Sequence, residues 1–129
     1  MIQPPTRVLV CEDSRTFAAA LVRTLERGGE IDVIGVAPNA EAAIADLIRL
    51  APDLVTMDIE LPGMSGLEAV EEIISARPTP ILIVSSLVSG GSDLAAAALA
   101  AGALEAIGKD ALSLRDPDDA AAVAFRRRI

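Results

Sequence analysis

Short runs of apolar, largely β-branched residues recur at 8–11, 31–36, 54–57 and 81–84, with a weaker run at 104–107. Between them the apolar period changes: residues 17, 21 and 25, then 40, 44, 47 and 48, then 67, 70, 73 and 74 each trace one face of a helix. Most of the short runs are apolar at every position, as in strands buried on both faces. Strand and helix alternate about five times, which predicts a parallel sheet covered on both sides by helices through right-handed crossovers. Ligands of such sheets bind beyond the carboxyl ends of the strands. The residues that follow each run are therefore where chemistry is to be sought.

Local signals agree with that order. Ser14 and Asn39 stand as helix N-caps, Ser65-x-x-Glu68 is a capping box, and Gly28-Gly29, Pro52, Pro78 and Gly102 punctuate the elements. At 129 residues the chain is read as one domain, 1–129. The tail from about 116 reads as a final helix without a Gly, Asn or Pro to end it, which suggests that the natural chain continues into a linker. Ser89-Gly90-Gly91-Ser92 and the alanine-rich stretch 94–101 define no clear face, and this region is expected to be mobile.

Aromatic residues make up only 2% of the chain, Phe17 and Phe125 being the two rings, so the core must rest on Ala, Leu, Ile and Val. Cys11 is the only cysteine, which excludes an internal disulfide, and its place inside the first run marks a small core residue. A net charge of −8 argues against nucleic acid or an anionic membrane as a partner. The one basic run, Arg126-Arg127-Arg128, reads as a solvated helix end. No apolar run approaches the roughly 18 residues a bilayer requires, and Met1-Ile2-Gln3-Pro4-Pro5 does not begin an export leader, so a cytoplasmic protein is expected.

The chemistry points to acids. Leu54-Val55-Thr56-Met57 ends in Asp58, and Arg7-Val8-Leu9-Val10-Cys11 ends in Glu12 and Asp13. Two strand ends thus bring three carboxylates to one crevice. At separations of about 5 Å they would repel by about 3 kcal/mol per pair at an effective dielectric of about 20. A hard divalent cation such as Mg²⁺ offsets this most simply, and a raised pKa on one acid is the competing solution. Ser85 follows the fourth run and Lys109 the fifth, so a hydroxyl and an ammonium reach the same edge. The set suits phosphoryl transfer: Asp58 as the attacking carboxylate, Lys109 and a metal on the phosphoryl oxygens, Ser85 as a hydrogen-bond donor.

Val8-Leu9-Val10-Cys11-Glu12-Asp13-Ser14 and Asp58-Ile59-Glu60-Leu61-Pro62-Gly63-Met64-Ser65-Gly66 resemble the acid pair and phosphoacceptor loop of the response-regulator receiver domain of two-component signalling. The resemblance extends over essentially the whole chain. It implies a flavodoxin-like, doubly wound α/β fold whose five-stranded parallel sheet has the order 2-1-3-4-5 with helices on both faces. It also implies that Asp58 accepts a phosphoryl group from a histidine kinase, and that Glu12, Asp13, Asp58 and the backbone carbonyl of Glu60 hold Mg²⁺. Ser85 matches the family's switch hydroxyl and Lys109 its invariant lysine. More narrowly, residues 52–64 and Thr79-Pro80-Ile81-Leu82-Ile83-Val84-Ser85-Ser86 resemble the receiver half of the chemotaxis protein-glutamate methylesterases, where the receiver covers a hydrolase effector domain. This chain has no histidine and cannot perform that hydrolysis itself.

Three positions depart from the family pattern. Glu12 stands where the first aspartate is commoner, Ala106 where many receivers carry a toggling ring, and Asp110 where proline usually follows the lysine. A cis bond before a non-proline residue costs about 3 to 4 kcal/mol, so Lys109–Asp110 is expected to be trans. Other readings stay open at this point. They are a stand-alone or degenerate receiver used only for protein docking, a small phosphatase with Asp58 as nucleophile and Glu60 as general acid, and a nucleotide-binding module. The last meets carboxylates at Glu12-Asp13-Ser14 where a phosphate cradle needs glycines.

Overall fold

The computed structural model describes residues 3–88, 93–112 and 114–129. Five strands, β1 (Thr6–Cys11), β2 (Ile31–Ala37), β3 (Leu54–Met57), β4 (Ile81–Ser85) and β5 (Glu105–Gly108), form one sheet in the order β2-β1-β3-β4-β5. Every neighbouring pair is parallel. The helices between them are α1 (Arg15–Glu26), α2 (Ala40–Leu50), α3 (Gly66–Ala76), α4 (Asp93–Ala101) and α5 (Ala120–Arg127), with a single 3₁₀ turn at Lys109–Ala111. The expected doubly wound topology is present. The segment 89–92, expected to be mobile, lies outside the described residues.

Side chains alternate across a strand, so β1 feeds two cores at once. Leu9 and Cys11 join Val55, Met57, Ile81 and Ile83 beneath α2, α3 and α4, where Leu47, Val70, Ile73 and Ala98 close the layer. Val8 and Val10 join Leu54, Leu82, Val84 and Ile107 on the opposite face, under Leu21 and Leu25 of α1 and Phe125 of α5. This two-sided use of β1, β3 and β4 explains their unbroken apolar runs.

Several expectations need correction. β2 is an edge strand, so only Ile31 and Ala37 at its ends are buried, and Val36 is 47% exposed. β5, the other edge, starts at Glu105, and Leu104 before it lies in solvent. In α2 the buried line runs through Ala40, Ala43 and Leu47, which leaves Ile48 a further 100° around the helix and 65% exposed. The last helix begins at Ala120 instead of 116. Asp116 and Asp119 draw the chain into a turn, the Asp116 carboxylate accepting from the Asp118 N–H (2.9 Å) and the Asp119 carboxylate capping α5 at Ala122 N–H (2.8 Å). Nor is Arg126-Arg127-Arg128 simply solvated: Arg126 donates to the carbonyls of Thr24 and Pro117, and Arg128 pairs with Glu105.

The N-caps form as the sequence predicts. Ser14 accepts from Phe17 N–H, Asn39 from Ala42 N–H and Ser65 from Glu68 N–H. Cys11 is a core residue, 1% exposed, its thiol donating to the Asn39 carbonyl. No peptide bond among the described residues is cis, and Lys109–Asp110 is therefore trans.

Candidate functional site

Parallel pairing carries the backbone past the last ladder residues and sets the acids side by side. Glu12 N–H donates to Ala37 O (2.9 Å), and Asp58 N–H donates to Cys11 O (3.1 Å). One carboxylate oxygen from each of Glu12, Asp13 and Asp58 lies within 4.8 Å of the other two. Glu12 and Asp58 are each 5% exposed, while Asp13 faces solvent.

Lys109, the first residue after β5, reaches back over this cluster. Its Nζ lies 2.7 Å from Glu12 Oε1 and 3.0 Å from Asp58 Oδ2. The remaining oxygens take backbone amides: Asp58 Oδ1 accepts from Glu60 N–H (3.1 Å) and Glu12 Oε2 from Ser14 N–H (3.0 Å). Ser85 ends β4 with no solvent exposure, and its hydroxyl oxygen accepts from Leu87 N–H (3.2 Å). Thus the structure brings Glu12, Asp13, Asp58 and Lys109 into one cluster, with Ser85 on the same sheet edge.

Two glycines make the approach of the loops possible. A Cβ on Gly66 would lie 2.3 Å from Asp58 O and 2.6 Å from Ile59 Cα, so the loop that follows Asp58 folds back on itself only because residue 66 lacks a side chain. Its N–H closes that loop onto Ile59 O (3.0 Å). At Gly108 a Cβ would meet Val88 O at 2.4 Å, so the end of β5 and the loop after β4 touch backbone to backbone.

The electrostatics follow from a cluster of three carboxylates in which one ammonium pairs with Glu12 and Asp58. Burial pushes the Glu12 carboxyl above its ordinary value, and its hydrogen bonds to Lys109 and Ser14 N–H offset only part of this. For Lys109, burial acts downward, but the hydrogen bonds to Glu12 and Asp58 and the charges of both outweigh it, so its net shift is up. The Cys11 thiol is pushed up to about 12, first by burial and then by the negative field of Glu12, Asp58 and Asp13.

Spacing alone places Phe17 on the apolar face of a helix, yet its ring centroid lies 4.0 Å from Lys109 Nζ. The available signal was Ser14, whose N-cap bond to Phe17 N–H places residue 17 in the first turn of the helix that follows the acid pair.

Residues 8–115 match the response regulator receiver domain. The chain is 46% identical over 105 residues to a protein-glutamate methylesterase/protein-glutamine glutaminase of Agrobacterium fabrum, a match that covers 81% of this chain and 30% of that protein. It is 41% identical over 107 residues to the corresponding protein 1 of Rhizobium johnstonii, covering 83% and 31%. Among solved structures, the response regulator domain of Thermotoga maritima CheB superposes with a TM-score of 0.81 at 31% identity, over 96% of this chain and 90% of that one. The BeF3-activated N-terminal receiver domain of Klebsiella pneumoniae RstA superposes with a TM-score of 0.77 at 26% identity, over 95% and 96%. The chain thus spans about 30% of the length of the curated relatives it matches. No helix among the described residues is long and apolar enough to cross a membrane.

Proposed function

The chain belongs to the response regulator receiver domain family, and from that premise we propose that Asp58 is its phosphoacceptor, charged by a histidine kinase and signalling to a protein-glutamate methylesterase effector. The observation that carries this reading is the convergence of three carboxylates with Lys109 bridging two of them. A structural cluster has no need of that charge excess.

In the proposed step an Asp58 carboxylate oxygen attacks phosphorus, and the phosphorus–nitrogen bond of a kinase phosphohistidine breaks as the new P–O bond forms. The imidazole leaves with the bonding pair and takes a proton from solvent, and Asp58 becomes a mixed anhydride. Lys109 moves part of its charge from the carboxylates to the incoming phosphoryl oxygens. Ser85 turns its hydroxyl from Leu87 N–H toward the phosphoryl group, drawing the loop after β4 with it. Ala106 offers no ring to rotate on β5, so the change travels through Ser85 and its loop.

Mg²⁺ fits the donors present. Glu12, Asp13, Asp58 and the Glu60 carbonyl would hold it, all hard oxygens, while the neighbouring sulfur of Cys11 stays protonated on Asn39 O. When bound, the ion would supply positive charge to offset the carboxylates and the charge of the phosphoryl group. The effector assignment rests on the names and lengths of the relatives: both are methylesterase/glutaminases, and this chain, which has no histidine, spans about 30% of each.

Incubation with acetyl phosphate and Mg²⁺ tests the central assignment. The wild type is expected to gain one phosphoryl mass, located at residue 58 by peptide mapping, and Asp58→Asn to gain none. Equal labelling of the two proteins refutes the phosphoacceptor role.

A further inference from the structure

We propose that the Phe17 ring is a positioning residue that holds the ammonium of Lys109 against Glu12 and Asp58. Lys109 is the only lysine of the chain, and every other cationic side chain is arginine. An ammonium has three N–H donors. Two are taken by Glu12 Oε1 at 2.7 Å and Asp58 Oδ2 at 3.0 Å, and the face of the Phe17 ring lies 4.0 Å away to receive the third. The lysine side chain is 18% exposed, so water is a restricted substitute for that partner.

The contacts close on themselves. Lys109 pairs with Glu12, the other Glu12 oxygen accepts from Ser14 N–H, the Ser14 hydroxyl caps Phe17 N–H, and the Phe17 ring returns to Lys109. The start of α1 and the end of β5 are thereby coupled through one cation. Beyond the ring lies an open cleft of about 740 Å³, lined by Phe17 with Ser14, Ala20, Arg23, Leu112 and Leu114. The ring thus borders both this cleft and the Lys109 ammonium. Removing it gives the flexible lysine stem a second place to go, and the trans bond to Asp110 adds no ring constraint of its own.

The kinetic arm of the test rests on Asp58 as phosphoacceptor, while the spectroscopic arm does not. Because the chain has one lysine, lysine labelled with ¹³C at Cε gives a single methylene signal. In the full chain its protons are expected to be shifted upfield by the ring current in the wild type and in Phe17→Tyr, and to move to the solvated lysine position in Phe17→Leu. Phosphorylation by acetyl phosphate is expected to slow about three- to tenfold in Phe17→Leu and to stay within about twofold of wild type in Phe17→Tyr. In a Lys109→Met background Phe17→Leu should change the rate by less than about twofold. Phe17→Met serves in the same roles should the leucine variant melt early. An unshifted methylene signal in the wild type, a signal unmoved by loss of the ring, or an equal slowing in the Lys109→Met background overturns the proposal. Should the wild type take no phosphoryl group, the Asp58 assignment fails, and the lysine signal still decides the role of Phe17.

Discussion

Glu12, not Asp58, is the nearer partner of Lys109: its Oε1 lies 2.7 Å from Nζ, against 3.0 Å for Asp58 Oδ2. The extra methylene that distinguishes glutamate from aspartate carries the charge from the tip of β1 toward β5, with β3 and β4 lying between the two strands. One ammonium therefore pins two nearly buried carboxylates that start on different strands. Lys109→Met leaves both without a counter-charge, and a loss of about 3 kcal/mol in urea unfolding is expected in the absence of Mg²⁺. Adding Mg²⁺ should raise the unfolding midpoint of the variant more than that of the wild type.

Gly66→Ala tests the loop closure. A methyl group there meets Asp58 O and Ile59 Cα, both backbone, so the loop itself must move. A stability loss of about 1 to 3 kcal/mol is expected. The phosphorylation rate of the still-folded fraction should fall as well, because the displaced segment includes the reacting residue. Gly63→Ala is the comparison, since it perturbs the same loop through its φ of 80° without touching the Asp58 backbone.

The thiol of Cys11 supplies a pH test whose sign follows from linkage. Unfolded, it titrates near 9.0, and folded, at about 12. Between those values the unfolded chain has released a proton that the folded chain retains, so stability falls as pH rises above 9.0, by up to about 1.4 kcal/mol per pH unit, and levels off above the folded value. Relative to Cys11→Ala, the wild type should lose ground between pH 8 and about pH 10.5 in paired urea titrations. A constant difference across that range would contradict the shift.

Two adjacent residues of α2 separate packing from pattern. Leu47 is fully buried beneath the sheet, and Ile48 is 65% exposed. Leu47→Ala is expected to cost about 2 to 5 kcal/mol. Ile48→Ser should change stability by no more than about 0.5 kcal/mol. Thermal melts of the two variants beside the wild type decide it.

The order of elements was legible because its signals are local. A Ser or Asn cap bonds two or three residues onward, and an unbroken apolar run has few places to go but a strand covered on both faces. Hence Ser14, Asn39 and Ser65 cap as expected, and β1, β3 and β4 fall where their runs do. Exposure was harder to read. Val36, Ile48 and Leu104 are as apolar as their buried neighbours, and only their place at a sheet edge or off the line of a helix face puts them in water. Helical spacing alone sets the start of α5 too early, because it does not reveal that Asp116 and Asp119 bind nearby amides first.

By itself the sequence determined that acids would leave the ends of β1 and β3 on the same edge of a parallel sheet, because strand direction and period 2 follow from the chain's own pattern. Which oxygen meets which partner was decided only in three dimensions. Lys109 and Phe17 are 92 positions apart in the chain, and no periodicity links the two. Their contact exists because the sheet brings the end of β5 over the start of α1, where an ammonium, two carboxylates and a ring satisfy one another out of water.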